Sequence, residues 1–212
     1  MSGDAVHFKQ AGASEASTAA IEAAIYWRLR QGAQRERSVD KESTQVVVDS
    51  LKQAGVDLVV TLVEEPTHSV IDATRADPFF TTVTTVNESH GLALCGGAAL
   101  GGRDCVFFTG VAGLLVGSWA LAQMGMVYAA PFTIIASYRG DFADRTGIPG
   151  SQLLMFRQTV EPLLNTLRIP YEIINNPATL AKSIKGAAVA CREYGTPIAL
   201  LLTGDFLTEV PG

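Results

Sequence analysis

The chain has 212 residues, 48% of them hydrophobic and 17% charged, with 20 glycines and 9 prolines. So apolar a chain buries enough surface to offset its ordering entropy, which excludes wholesale disorder, and its glycines and prolines exclude a coiled coil. Lys plus Arg number 16 against 21 Asp plus Glu, a net charge of −5 and the wrong sign for a general nucleic-acid binder.

That length fits one domain. Residues 1–37 read as an N-terminal arm with one helix around 19–27, followed by Arg28, Arg30, Arg35 and Arg37. Residues 38–212 read as the domain itself. No apolar run stands behind a basic start, so no signal peptide is expected and the protein is taken as cytoplasmic. The three cysteines, Cys95, Cys105 and Cys191, are far apart in apolar surroundings and form no CxxC pair. They read as buried thiols rather than metal ligands, and no metal site is expected in this chain.

Helical apolar spacing over 43–54 ends at Gly55, a C-cap signal. A β-rich run follows over 57–63, then a proline-led helix over 66–76 and a threonine-valine strand over 80–86. Residues 89–101 predict a helix of small residues that admits close neighbours. After a turn come a strand over 105–108, a glycine loop over 109–113, a helix over 115–128 and a strand over 132–137. A polar loop over 138–150 leads to a helix over 151–167 and a strand over 171–174. A helix over 177–194 and a strand over 198–202 close the pattern. Residues 105–138 carry no charge and are long enough to span a bilayer, but Gly110, Gly113, Gly117, Gln123 and Pro131 interrupt them. They read as buried elements of a soluble core, with no membrane contact.

Strands separated by helices of this size predict an α/β fold: one doubly wound, mostly parallel six-stranded sheet with helices on both faces. Ligands in such sheets sit beyond the carboxyl ends of strands, here 64–69, 87–91, 109–113 and 138–141. Glu88 stands out there, in Val86-Asn87-Glu88-Ser89-His90-Gly91, where a strand gives way to a helix. An acid at a helix start is also what the helix dipole favours, so the residue alone does not announce chemistry. Its context adds a Gly-Gly pair, a Gly-Gly turn, Thr109-Gly110-Val111-Ala112-Gly113, Tyr138-Arg139-Gly140-Asp141 and Leu167-Arg168-Ile169-Pro170-Tyr171.

On those residues the chain resembles the pyrimidine-binding domain of thiamine-diphosphate enzymes. Within them it is similar to the α subunit of split 2-oxoacid decarboxylases, the sulfopyruvate and phosphonopyruvate decarboxylase group. The likeness covers 43–203 and leaves out 1–37. It implies that Glu88 hydrogen-bonds the cofactor's aminopyrimidine and so promotes removal of the thiazolium proton, a role that needs a sheltered carboxyl. Val86 and Leu92 are the expected shelter. Thr109, Gly110, Val111 and Gly113 are implied to line the cofactor, glycine letting backbone approach a flat ring. The family often has an Asn in the next turn, where this chain has Leu114, Gly117 and Ser118.

Such enzymes hold Mg2+ and diphosphate through Gly-Asp-Gly and a later Asn. The nearest match here is Gly204-Asp205-Phe206, with no Asn after it. The resemblance therefore implies a β subunit that carries the diphosphate and Mg2+ half, in a hetero-oligomer whose active site lies between subunits.

His68, after the first strand, reads either as an acid–base group or as a loop histidine, and His90 likewise. Glu64 and Glu65 are adjacent and face opposite ways in extended backbone, so no paired-carboxylate acid–base site is expected, and they read as solvated loop charge. Arg139 and Arg145 suit a carboxylate, sulfonate or phosphonate tail, or are plain surface arginines. Relatives with sulfonate or phosphonate substrates often carry His in that stretch, and none stands here. Trp119, Met124, Met126 and Tyr128 share one helix and read as core or subunit interface.

The expected function is thus the α subunit of a decarboxylase acting on a small 2-oxo acid. Carboligation with the same cofactor and a non-catalytic regulatory subunit are the alternatives. A nucleotide-binding reading ranks last, since GxGxxG is missing.

Overall fold

A computed structural model describes residues 37–62, 64–139 and 150–209. The arm expected over 1–37 lies outside them except for Arg37, as does Arg145 with most of the polar loop. In chain order the elements are β1 (Arg37–Val39), α1 (Lys41–Gln53), β2 (Leu58–Thr61), a 3-10 turn (Glu65–Thr67), α2 (His68–Ala76), β3 (Thr81–Thr84) and α3 (Glu88–Leu100). Then come β4 (Cys105–Gly110), α4 (Val111–Val116), α5 (Ser118–Ala122), a π-helical turn (Gln123–Val127), β5 (Thr133–Ser137) and α6 (Gly150–Thr166). The chain continues with β6 (Tyr171–Ile174), α7 (Pro177–Tyr194), β7 (Ile198–Leu202), a second 3-10 turn (Gly204–Phe206) and β8 (Leu207–Glu209).

Six strands form one sheet in the order β3-β2-β4-β5-β7-β6, and all its pairings are parallel. The expected α/β architecture is therefore present. β1 and β8 pair as a small antiparallel ribbon that the sequence did not announce. No helix among the described residues is long and apolar enough to cross a membrane.

The central strands β4, β5 and β7 are buried along their whole length. Their side chains alternate between two cores, as period-2 geometry requires. Val106, Phe108, Ile135 and Leu200 join one core with Val47 and Leu51 of α1, Val70 of α2 and Ile184 of α7. Phe107, Ile134 and Leu201 join the other with Leu92 and Cys95 of α3, Leu114 of α4, Leu121 of α5 and Leu164 of α6. Burying each such side chain is worth about 1.5–3 kcal/mol.

Local signals fix the helix ends. Asp40 caps α1 by accepting the Ser43 N–H at 2.8 Å, and Asn176 caps α7 by accepting from Ala178 at 3.0 Å. Gly55 and Gly195 follow those two helices with φ of 76° and 61°, the left-handed region that glycine enters freely.

Two expectations fail here. The glycine loop is not a loop: Thr109 and Gly110 continue β4, paired with Ala136 and Ser137, and α4 starts directly at Val111. The helix expected over 115–128 is three segments, broken at Gly117 and closed by a π turn in which the Tyr128 N–H bonds the Gln123 carbonyl at 2.9 Å.

Candidate functional site at the carboxyl ends of the strands

The chain leaves β2 for β3 on one side and then crosses to β4 on the other. α2 packs on one face of the sheet and α3 on the other. The crevice beyond β2 and β4 is therefore the switch point where doubly wound sheets take ligands.

Glu88 is the first residue of α3, placed by Asn87, whose side chain accepts the Ser89 N–H at 2.8 Å. Its side chain lies over Gly113 and beside Thr109. A β-carbon on Gly113 would stand 2.8 Å from Glu88 Cγ and 3.2 Å from Oε1, and would strike the Thr109 hydroxyl. Bare backbone at Gly113 is thus what lets this carboxylate sit against the start of α4. Of the residues the sequence grouped, Glu88, Thr109 and Gly113 come together, whereas Gly110 lies against Glu64 and Val111 opens α4 next to it. Glu88 is half-buried, but its shelter differs from the expected one. Val86 is 89% exposed and shields nothing. β3 ends at Thr84, so Val86 falls in a turn. Buried Leu92, Thr109, Gly113 and Gly117 supply the shelter instead.

A second group stands at the switch point itself. Glu64 is no solvated loop charge, as its side chain is only 21% exposed. Its Oε1 accepts a hydrogen bond from Ser137 Oγ at 2.6 Å, and Arg139 Nη2 lies 3.5 Å from the same oxygen. The carboxylate rests on Gly110, where a β-carbon would approach Oε1 to 2.8 Å. Arg139 is therefore paired, while its Nε is buried with no acceptor.

The histidines separate. His68 opens α2 half-buried, and His90 is exposed on α3. Tyr138, at the end of β5, donates its hydroxyl to Glu161 of α6, which also accepts from Tyr171 at 3.2 Å. Asp205 accepts from Thr203 Oγ1 at 2.8 Å within its 3-10 turn. Met124 is buried, whereas Trp119, Met126, Val127 and Tyr128 are 73%, 58%, 71% and 51% exposed.

Over 160 residues the chain is 28% identical to "Sulfopyruvate decarboxylase subunit alpha" of Methanococcus maripaludis, covering 76% of this chain and 93% of that one. It is also 28% identical over 161 residues to the protein of the same name from Methanothermobacter thermautotrophicus, covering 76% and 95%. The chain is a relative of sulfopyruvate decarboxylase alpha subunits. That bears out the resemblance read from the sequence. No protein-family model matches the chain. Among solved structures, its fold is similar to a thiamine diphosphate-dependent 4-hydroxybenzoylformate decarboxylase of Rhodococcus jostii RHA1, with TM-score 0.62 and 16% identity. It is also similar to a benzoylformate decarboxylase of Polynucleobacter necessarius, with TM-score 0.61 and 15% identity. Each likeness covers 80% of this chain but only 32% and 31% of the other chain, so this chain spans about a third of each.

The Rhodococcus jostii decarboxylase is thiamine diphosphate-dependent, and the Glu88 group can be compared with one half of that cofactor. A half-buried carboxylate beside an open glycine and a threonine suits an aminopyrimidine, a flat ring with nitrogen donors and acceptors. Among the described residues no three His, Cys, Asp or Glu side chains cluster as metal ligands, so no residue here is assigned to Mg2+. Sequence reasoning missed Glu64 and Ser137. The only available signal was their placement just beyond strand ends.

Proposed function

We propose that this chain is the α subunit of a heteromeric thiamine-diphosphate enzyme that decarboxylates a 2-oxo acid. The observation that carries the reading is the Glu88 carboxylate, lodged against Gly113 and Thr109 at the ligand-binding end of the sheet. When bound, thiamine diphosphate supplies an electron sink for the pair left behind as carbon dioxide departs. Glu88 is placed to hydrogen-bond a ring nitrogen through its carboxyl group, and Asn87 fixes the helix start that aims it. Thr109 and Gly113, with Gly110 and Val111 next to them in the chain, are proposed to line the ring. Leu92 and Val111 exclude water beside it. Histidine suits proton transfer near neutral pH, and His68, at the start of α2, is the candidate to serve the substrate, with His90 a weaker second.

A β subunit is proposed to hold the diphosphate and Mg2+. The exposed apolar run Trp119, Met126, Val127 and Tyr128 supports a partner, because surface this apolar marks interaction sites. Native mass spectrometry of the chain purified from its own host tests this. The expected result is a complex with a second polypeptide that carries thiamine diphosphate and Mg2+. A chain that stays alone, and takes up no thiamine diphosphate when candidate partners are added, contradicts it.

A further inference from the structure

We propose that Glu64 sets the substrate class, by neutralising Arg139 so that the site favours 2-oxo acids whose far end carries no charge. The inference rests on the decarboxylase reading and narrows it. Arg139 is the described cation of the crevice, and a free guanidinium there suits a sulfonate or phosphonate tail. It is not free. Glu64 Oε1 lies 3.5 Å from its Nη2, and both side chains are largely withdrawn from water, at 21% and 23% exposure.

The carboxylate is held in place. Ser137 Oγ donates to it at 2.6 Å, and Gly110 leaves the space it fills. Glu88 adds a second carboxylate at the same end of the sheet. The Arg139–Glu64 pair carries no net positive charge of its own. An incoming dianion therefore finds no uncompensated cation on that pair, in surroundings that screen charge little. The space beside Arg139 points the same way. A small cavity beside Arg139, lined also by Pro66, Thr67, Ser137, Tyr138 and Thr203, holds about 10 Å³, room for one oxygen-sized atom. A hydroxyl or carbonyl oxygen there brings an acceptor near a guanidinium whose Nε still lacks one, without bringing charge.

The test is calorimetric binding of two probes, 2-oxopentanoate and 3-sulfopyruvate, to the full chain as purified from its host. Wild type is expected to prefer 2-oxopentanoate. Glu64→Gln keeps an acceptor for Ser137 and removes the charge, so it tightens 3-sulfopyruvate on the order of tenfold and moves 2-oxopentanoate by less than about threefold. Adding Arg139→Gln to that variant abolishes the gain. If Glu64→Gln does not fold, Glu64→Ala, which also removes the charge, is expected to give a gain of the same sign.

The proposal is overturned if wild type binds 3-sulfopyruvate as tightly as 2-oxopentanoate, or if neither charge-relieving variant tightens it. It is equally overturned if the gain survives loss of Arg139, or if neither probe binds any form. Binding is read without turnover. A chain that shows this selectivity but decarboxylates nothing therefore contradicts the decarboxylase reading and leaves the charge argument standing.

Discussion

On one face of the sheet lie α1, α2 and α7; on the other lie α3, α4, α5 and α6. The first face is built from amphipathic helices around branched aliphatic cores, with α1 and α7 capped by Asp40 and Asn176. Charged residues such as Lys52, Arg75 and Lys182 lie outward. The second face is built on close approach. A β-carbon on Gly91 would strike the edge of the Phe107 ring, standing 2.7 Å from its Cζ, and one on Gly96 would stand 2.9 Å from Met124 Cγ. Its outer surface is apolar, with Leu100, Val116, Trp119 and Val127 exposed at 57%, 60%, 73% and 71%. One face is finished against water. The other is shaped to bring Glu88 against β4 and leaves a surface that suits another protein.

Substitutions break or sharpen this contrast. The largest structural effect is expected from Gly91→Ala, which drives a methyl into a rigid buried ring and costs about 1–3 kcal/mol, read as a lower melting temperature. The matching change on the other face is Gly186→Ala in α7, where a β-carbon meets nothing within 4 Å. It is expected to stabilise by roughly 0.5–1 kcal/mol, because a helix interior prefers alanine. If the two shifts share a sign, the contrast between the faces fails.

Trp119→Asp separates docking from folding. The side chain is 73% exposed, so the melting free energy of the isolated chain should move by no more than about 0.5 kcal/mol, while co-purification of the partner is lost. Retained co-purification removes this surface from the interface.

The smallest effect concerns pH. Burial pushes the thiols of Cys95 and Cys191 up, with the Cys105 side chain adding to the shift at Cys95. The unfolded chain therefore gives up these protons first. By linkage the native state is favoured below the ordinary thiol range and loses stability as pH climbs past about 8.5. Thiol labelling at pH 8 should accordingly be slow in the folded chain and rapid once denaturant is added.

Much of this was legible because local rules agreed. β6, α7 and β7 run from Tyr171, Pro177 and Ile198 as their patterns imply, each bounded by proline, asparagine or glycine. The misreadings came from long-range pairing. Thr109 and Gly110 look like a glycine turn in sequence but are held in β4 by Ala136 and Ser137. β1 and β8 are three residues each and meet across almost the whole chain, so neither shows a local period. Glu64 beside Glu65 reads as solvent charge because the hydroxyl and guanidinium that claim it are 73 and 75 residues away. Glu88 was legible for the opposite reason, since its helix start, small-residue helix and Gly113 lie within one stretch.

The central claim, that Glu88 serves the cofactor chemically, is tested most directly by Glu88→Gln in the complex loaded with thiamine diphosphate and Mg2+. The measurement is decarboxylation of a 2-oxo acid, with cofactor affinity and melting temperature followed alongside. The account predicts a fall in kcat on the order of 10²–10⁴, with the melting temperature unchanged. Wild-type kcat in that variant would contradict it and leave Glu88 as an ordinary helix-start acid.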